Sequence, residues 1–140
     1  MKKILFIFAL AFALQLSAQD KTNWLTDNSA ALKQAEVQNK PILVFVTDNP
    51  NVDASAELRD LCSNNSSLLT KITSNAILLT LDVSDEKSYN TRLAMHYTKQ
   101  YNVSGLSLVD RNGNTIIEPL IDFDSREKVL VFMTLLNDKL

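Results

Sequence analysis

Three kinds of side chain in this sequence have the chemistry to act on another molecule: one thiol, one imidazole, and a polar run of amides and carboxylates. The thiol is Cys62 and the imidazole is His96, each the single residue of its type. One Cys allows neither an internal disulfide nor a four-cysteine zinc site, and one His allows no multi-histidine metal centre. A Ser-His-Asp triad needs a nucleophile paired with His96. His96 instead shares a predicted helix with Arg92 and Lys99, which makes it a surface side chain rather than a general base. Cys62 stands near the C-terminal end of a predicted helix, where the dipole disfavours a thiolate, and its spacing with Leu58 and Leu61 turns it inward. The core reading is a small buried hydrophobe. The alternative is a thiol that links two chains in an oxidising compartment.

The polar run is Asn49-Pro50-Asn51-Val52-Asp53, with Glu57 and Asp60 beyond it. Asn49, Asn51 and Asp53 have part of a calcium-loop spacing, but the leading Asp, the Gly at the sixth position and the final Glu are missing. The same residues suit a solvated loop in which Asp53 or Asn51 caps the next helix. Asn64-Asn65-Ser66 and Asn102-Val103-Ser104 match glycosylation acceptors, which have meaning only in a eukaryotic secretory route. Trp24 is either a ligand platform or an aromatic packed onto the domain ahead of its first helix. No cofactor and no metal is expected from this inventory.

These residues sit in a chain of 140 residues with 14 basic and 16 acidic side chains. The length fits one compact domain, and the charge of −2 gives no basic footprint for nucleic acid. Met1-Lys2-Lys3 precedes the apolar run Ile4–Leu14, followed by Gln15-Leu-Ser-Ala-Gln19 and Asp20. A positive end, a short apolar centre and small residues at the cut are the layout of a secretory signal over 1–19. The run is too short to span a bilayer comfortably, where about 20 residues are needed. No stable membrane anchor is expected after cleavage near residues 18–19, and the destination is the bacterial periplasm or the medium. Removal of Lys2 and Lys3 leaves 12 basic against 16 acidic residues, a charge of −4. The remaining domain, 20–140, has no disulfide available and must depend on packing.

Along that domain, helical and extended patterns alternate. A helix capped by Asn28 or Ser29 runs to about Asn39 and stops at Lys40-Pro41. Ile42–Val46 is a continuous apolar run, the pattern of a strand covered on both faces. Asp53–Cys62 and Ser66–Ile72 are helical, and Ala76–Asp82 is a second buried strand. A helix opens at Ser84-Asp85-Glu86 and runs to about Tyr101. Gly105–Asp110 and Thr115–Ile121 flank Asn112-Gly113 as a hairpin, with Pro119 marking an edge or a bulge. The closing helix carries Val129, Phe132, Met133, Leu136 and Leu140 as its apolar stripe, behind Asp124 and Glu127 as a capping pair. The order α-β-α-α-β-α-β-β-α implies an α/β fold, a mixed central sheet of about four strands with helices on both faces.

At this point the sequence resembles a known family. Trp24, Ala31, Ala35 and then Asn39-Lys-Pro-Ile-Leu-Val-Phe45 look like the opening of exported bacterial thioredoxin-like proteins. Element order extends the resemblance over 22–140, while the residue match is strong over 24–47 and weaker at Tyr101-Asn-Val103 and Asp110-Arg-Asn-Gly113. The resemblance implies a thioredoxin-like fold. It also implies a Trp-Cys-x-x-Cys motif where the first core strand meets its helix, which here falls on Asn49, Pro50 and Asp53. The chemistry needs a thiolate at a helix N-terminus and a second thiol to resolve the mixed disulfide. Neither Pro50 nor Asp53 can exchange thiols, and Val103-Ser-Gly-Leu106 lacks the cis-proline that faces the motif in active members. The expectation is a redox-inactive module that binds a protein or peptide of the cell envelope, or assists its folding. Residues 49–53 and 103–106 would line its groove. The alternative is a thiol-disulfide enzyme, or a covalent dimer, that uses Cys62.

Overall fold

The computed structural model describes residues 24–140, so the expected signal over 1–19 lies outside the described residues. Five helices and three strands follow in the order α1 (Asn28–Gln38), β1 (Ile42–Thr47), α2 (Ala54–Leu61), α3 (Ser66–Asn75), β2 (Ile77–Asp82), α4 (Tyr89–Thr98), β3 (Gly105–Val109) and α5 (Arg126–Lys139). The sheet order is β2-β1-β3. β1 pairs parallel with β2 from Ile42↔Ile77 to Thr47↔Asp82, and antiparallel with β3 from Ile42↔Val109 to Val46↔Gly105. Every residue of β1 is buried, as a central strand with both faces covered requires.

The period of two along the strands sorts the core into two layers. Leu43, Phe45, Leu106 and Leu108 meet Leu58 of α2, Leu68 and Ile72 of α3, and Phe132, Met133 and Leu136 of α5. Ile42, Val44, Val46, Leu79, Leu81 and Val109 meet Ala31 and Ala35 of α1, and Ala94 and Tyr97 of α4. Small Ala31 and Ala35 let α1 lie close against the sheet. Tyr97 is buried, and its hydroxyl donates to Asn28 Oδ1 at 2.6 Å, so burial does not strand a polar group. On the opposite layer Lys71 Nζ donates to Asn137 O at 2.6 Å, tying α3 to the last turn of α5.

The expected fourth strand is a correction. Residues 115–120 lie along β3, but only through two isolated bridges, Val109↔Thr115 and Leu106↔Leu120. Three steps along β3 separate those bridges, against five along the outer segment, so two extra residues bulge out and break the ladder. Pro119, with no N–H to give, falls in that bulge. Three helix starts also move. Asp27, not Asn28 or Ser29, caps α1 by accepting from Ser29 N. α4 begins at Tyr89 behind Ser88, after a turn in which Asp85 accepts from Lys87 N. Ser125, not Asp124, caps α5 by accepting from Lys128 N, and just ahead of it Asp122 holds the N–H groups of Asp124 and Ser125.

The chain has two glycines; Gly113 takes φ 82° in the turn after β3, and most other turns are made by side chains. Asp27, Asn49, Asp53, Asp82, Asp85, Asp110 and Asp122 each accept, through the side chain, the N–H two residues ahead.

Candidate functional site

Where β1 ends, three short-range hydrogen bonds fold the chain back before α2 begins. Thr47 Oγ1 accepts from Asn49 N at 3.1 Å, Asn49 Oδ1 accepts from Asn51 N at 3.0 Å, and Val52 N donates to Asn49 O at 3.2 Å. Asp53 then caps α2, its Oδ1 accepting from Ser55 N at 3.0 Å and its carbonyl from Glu57 N at 3.1 Å. A carboxylate at a helix N-terminus is favoured by the free N–H groups and by the dipole. The position of the second thiol in the resembled pattern is thus a capping carboxylate, and that of the first, Pro50, lies in the loop three residues ahead of the cap; neither can exchange a thiol.

The second expected loop reaches the same end of the sheet. The register Val46↔Gly105 puts the start of β3 beside the end of β1, and Ser104 Oγ donates to Asp48 Oδ1 at 3.4 Å. Asp48 and Ser104 are therefore neighbours, and the two loops leave the same end of the sheet. Leu106, expected on the groove, is corrected: it pairs with Phe45 and is turned into the core, 1 % exposed. Gly105 is buried as well, and a Cβ there would stand 2.7 Å from Leu120 O, which explains the glycine. The exposed rim thus comprises Asn49, Pro50, Asn51 and Asp53, with half-buried Val52, Val103 and Ser104. Among the described residues there is no cis peptide bond.

Cys62 lies at the other end of α2, as its C-cap, with its N–H on Leu58 O at 3.0 Å. It is 3 % exposed and packed within the layer of α2, α3 and α5. Burial pushes the thiol up from its ordinary value, which lowers the thiolate fraction needed for attack. His96 Nε2 lies 2.9 Å from the carbonyl of Gly113. That carbonyl can only accept, so Nε2 carries the proton and the ring serves the Asn112-Gly113 turn. No group of three or more His, Cys, Asp or Glu side chains suited to a metal occurs among the described residues.

Sequence reasoning missed a cleft on the other flank of the same loop. An open cavity of about 710 Å³ is lined by Trp24, Gln34, Val52, Asp53, Thr80 and their neighbours. Leu25 forms its outer wall by pairing parallel with Leu79 at the sheet edge. Trp24 stands edge-on to Phe45, with ring centroids 6.3 Å apart. The signal available in the sequence was Trp24 itself, which either packs or lines a site. In the structure it packs against Phe45 and lines the cavity.

No protein-family model matches the chain, and no curated protein matches it. Solved structures do. The C-terminal domain of DsbD from Neisseria meningitidis, in its oxidised form, superposes with a TM-score of 0.56 at 17% identity, covering 84% of this chain and 100% of that one. The disulphide isomerase from Xylella fastidiosa Temecula1 gives a TM-score of 0.52 at 17% identity, covering 82% of this chain and 98% of that one. The fold is thioredoxin-like, as the opening residues implied, and its strand-to-helix loop carries no cysteine.

Proposed function

We propose that this chain is a non-catalytic thioredoxin-like module that binds an extended protein or peptide segment in the bacterial cell envelope, as a docking or folding-assistance partner. The observation that carries this reading is the position of the chemistry-bearing groups along α2. Asp53 caps its N-terminus where dithiol proteins of this fold need a thiol, and Cys62 is sealed at its C-terminus. The rim formed by 48–53 and 103–104 leaves a place for an extended segment to lie against backbone groups. The export signal over 1–19 and an envelope location belong to the same proposal. They are supported by the charge and hydropathy layout of the N-terminus and by the fold shared with the DsbD C-terminal domain and the disulphide isomerase.

A second reading takes its support from those two structures: a thiol-disulfide role, or a covalent dimer, through Cys62. The two readings separate on one experiment. Cys62 is alkylated in the folded and in the unfolded protein, and the mass is measured without reductant. A thiol that reacts only after unfolding, in a monomer, is the result expected for a binding module. Rapid reaction in the folded state, or a doubled mass that reductant halves, would move the function to thiol chemistry.

A further inference from the structure

Resting on the peptide-binding reading, we infer that the cleft between Trp24 and Asp53 seats a cationic side chain, lysine or arginine, of the bound segment. The cavity adjoins the substituted loop, since Val52 and Asp53 belong to both. Asp53 is the charged residue among the described residues that line it, and Trp24 supplies an aromatic wall. A carboxylate beside an indole is a combination that attracts a cation electrostatically twice over, through charge and through the ring quadrupole. An anion is disfavoured there, because Asp53 itself takes the N–H of Ser55 that would otherwise hold one. Asp53 Oδ2 has no hydrogen-bond partner among the described residues, which leaves one oxygen to meet an incoming donor. The neighbouring rim has the same sign. Asp48 follows β1, Asp82 ends β2, and exposed Asp85 and Glu86 follow it, with Lys87 as the nearby basic residue in that turn.

The chain's single tryptophan lies in the cleft and reports its occupancy. Trp24 emission is titrated with three end-blocked heptapeptides that differ at one central residue: lysine, norleucine or glutamate. The lysine peptide is expected to bind about tenfold tighter than the norleucine peptide, the glutamate peptide more weakly still, and the lysine preference to shrink at high salt. Asp53→Asn keeps a capping side chain while removing the charge, and it should reduce the preference to about threefold. Gln34→Lys, on an exposed helix position that tolerates lysine, should abolish it. Equal binding of lysine and norleucine peptides would overturn the cationic seat and leave the peptide-binding reading standing. A lysine preference that survives both substitutions would remove it from this cleft. Failure of all three peptides to bind would overturn both readings together.

Discussion

Placing cysteines at 50 and 53 tests whether the loop has been set correctly against the fold. In Pro50→Cys with Asp53→Cys, the second substitution removes the acceptor of Ser55 N, now at 3.0 Å. Loss of a carboxylate cap costs about 1 kcal/mol. The backbone bond from Glu57 N to Asp53 O does not depend on the side chain and survives. Pro50 is exposed in the loop, and losing its fixed φ costs a further 0.4–1 kcal/mol or so. The sum is about 1.5–2 kcal/mol. A domain of this length has roughly 6–18 kcal/mol at hand, so the variant should remain folded. Thermal unfolding followed by far-UV circular dichroism, under reducing conditions, should stay cooperative with a midpoint lower by about 6–8 °C. Titration with an oxidised dithiol should then show the two new thiols reacting while Cys62 stays protected. Loss of cooperative unfolding, or a destabilisation beyond about 4 kcal/mol, would mean that these positions are built into the structure in a way the loop's hydrogen bonds do not show.

Two further outcomes follow from individual side chains. Ser107 lies in β3, fully buried, and its hydroxyl has no hydrogen-bond partner among the described residues. Ser107→Ala should therefore stabilise the domain by about 1 kcal/mol in urea unfolding with an unchanged slope, and a loss of similar size would refute the orphan assignment. Asp110 is held below the usual carboxylate range, first by the backbone N–H of Asn114 and then, against a smaller opposing effect of burial, by that of Asn112. A depressed folded-state value makes its contribution present above the unfolded-state value near 3.9 and lost as pH falls through the folded one. Asp110→Asn should therefore lower stability slightly at neutral pH, and the difference from the parent should vanish as pH falls through the folded-state value; a difference that persists or grows in acid would refute the assignment.

The fold was legible because its strands are near-continuous apolar runs. Ile42–Val46 reads as a strand buried on both sides, and in the last helix Phe132 and Met133 stand four and three residues before Leu136, on one face. Helix starts were less legible because Asp, Asn and Ser crowd every candidate position. In such a crowd the sequence alone does not show which side chain caps, as with Asp122, Asp124 and Ser125 ahead of α5. The outer segment 115–121 has strand composition, and only the register of its two bridges reveals the bulge. Within the candidate site, the empty thiol positions follow from the sequence directly. The meeting of Asp48 with Ser104 does not, because it depends on which strands become neighbours. The side of β3 that Leu106 takes is not legible for a related reason: strand alternation gives two faces, and only the pairing with Phe45 shows which one is the core.

Making turns with aspartate and asparagine rather than glycine has a consequence for the denatured chain. At an average usage of about 7% a chain of this length would hold about ten glycines, and this one holds two. Each glycine replaced at a compatible site restricts the denatured ensemble by about 0.4–1 kcal/mol. Where the native backbone is compatible these effects add toward the roughly 2–4 kcal/mol that a disulfide contributes by limiting the same ensemble, while Asn39, Lys99 and Asn102, at φ 51°, 64° and 54°, return part of it as strain in the folded chain. With its single cysteine committed to the core, the chain has spread along its whole backbone a restraint that a cross-link would have concentrated at two points.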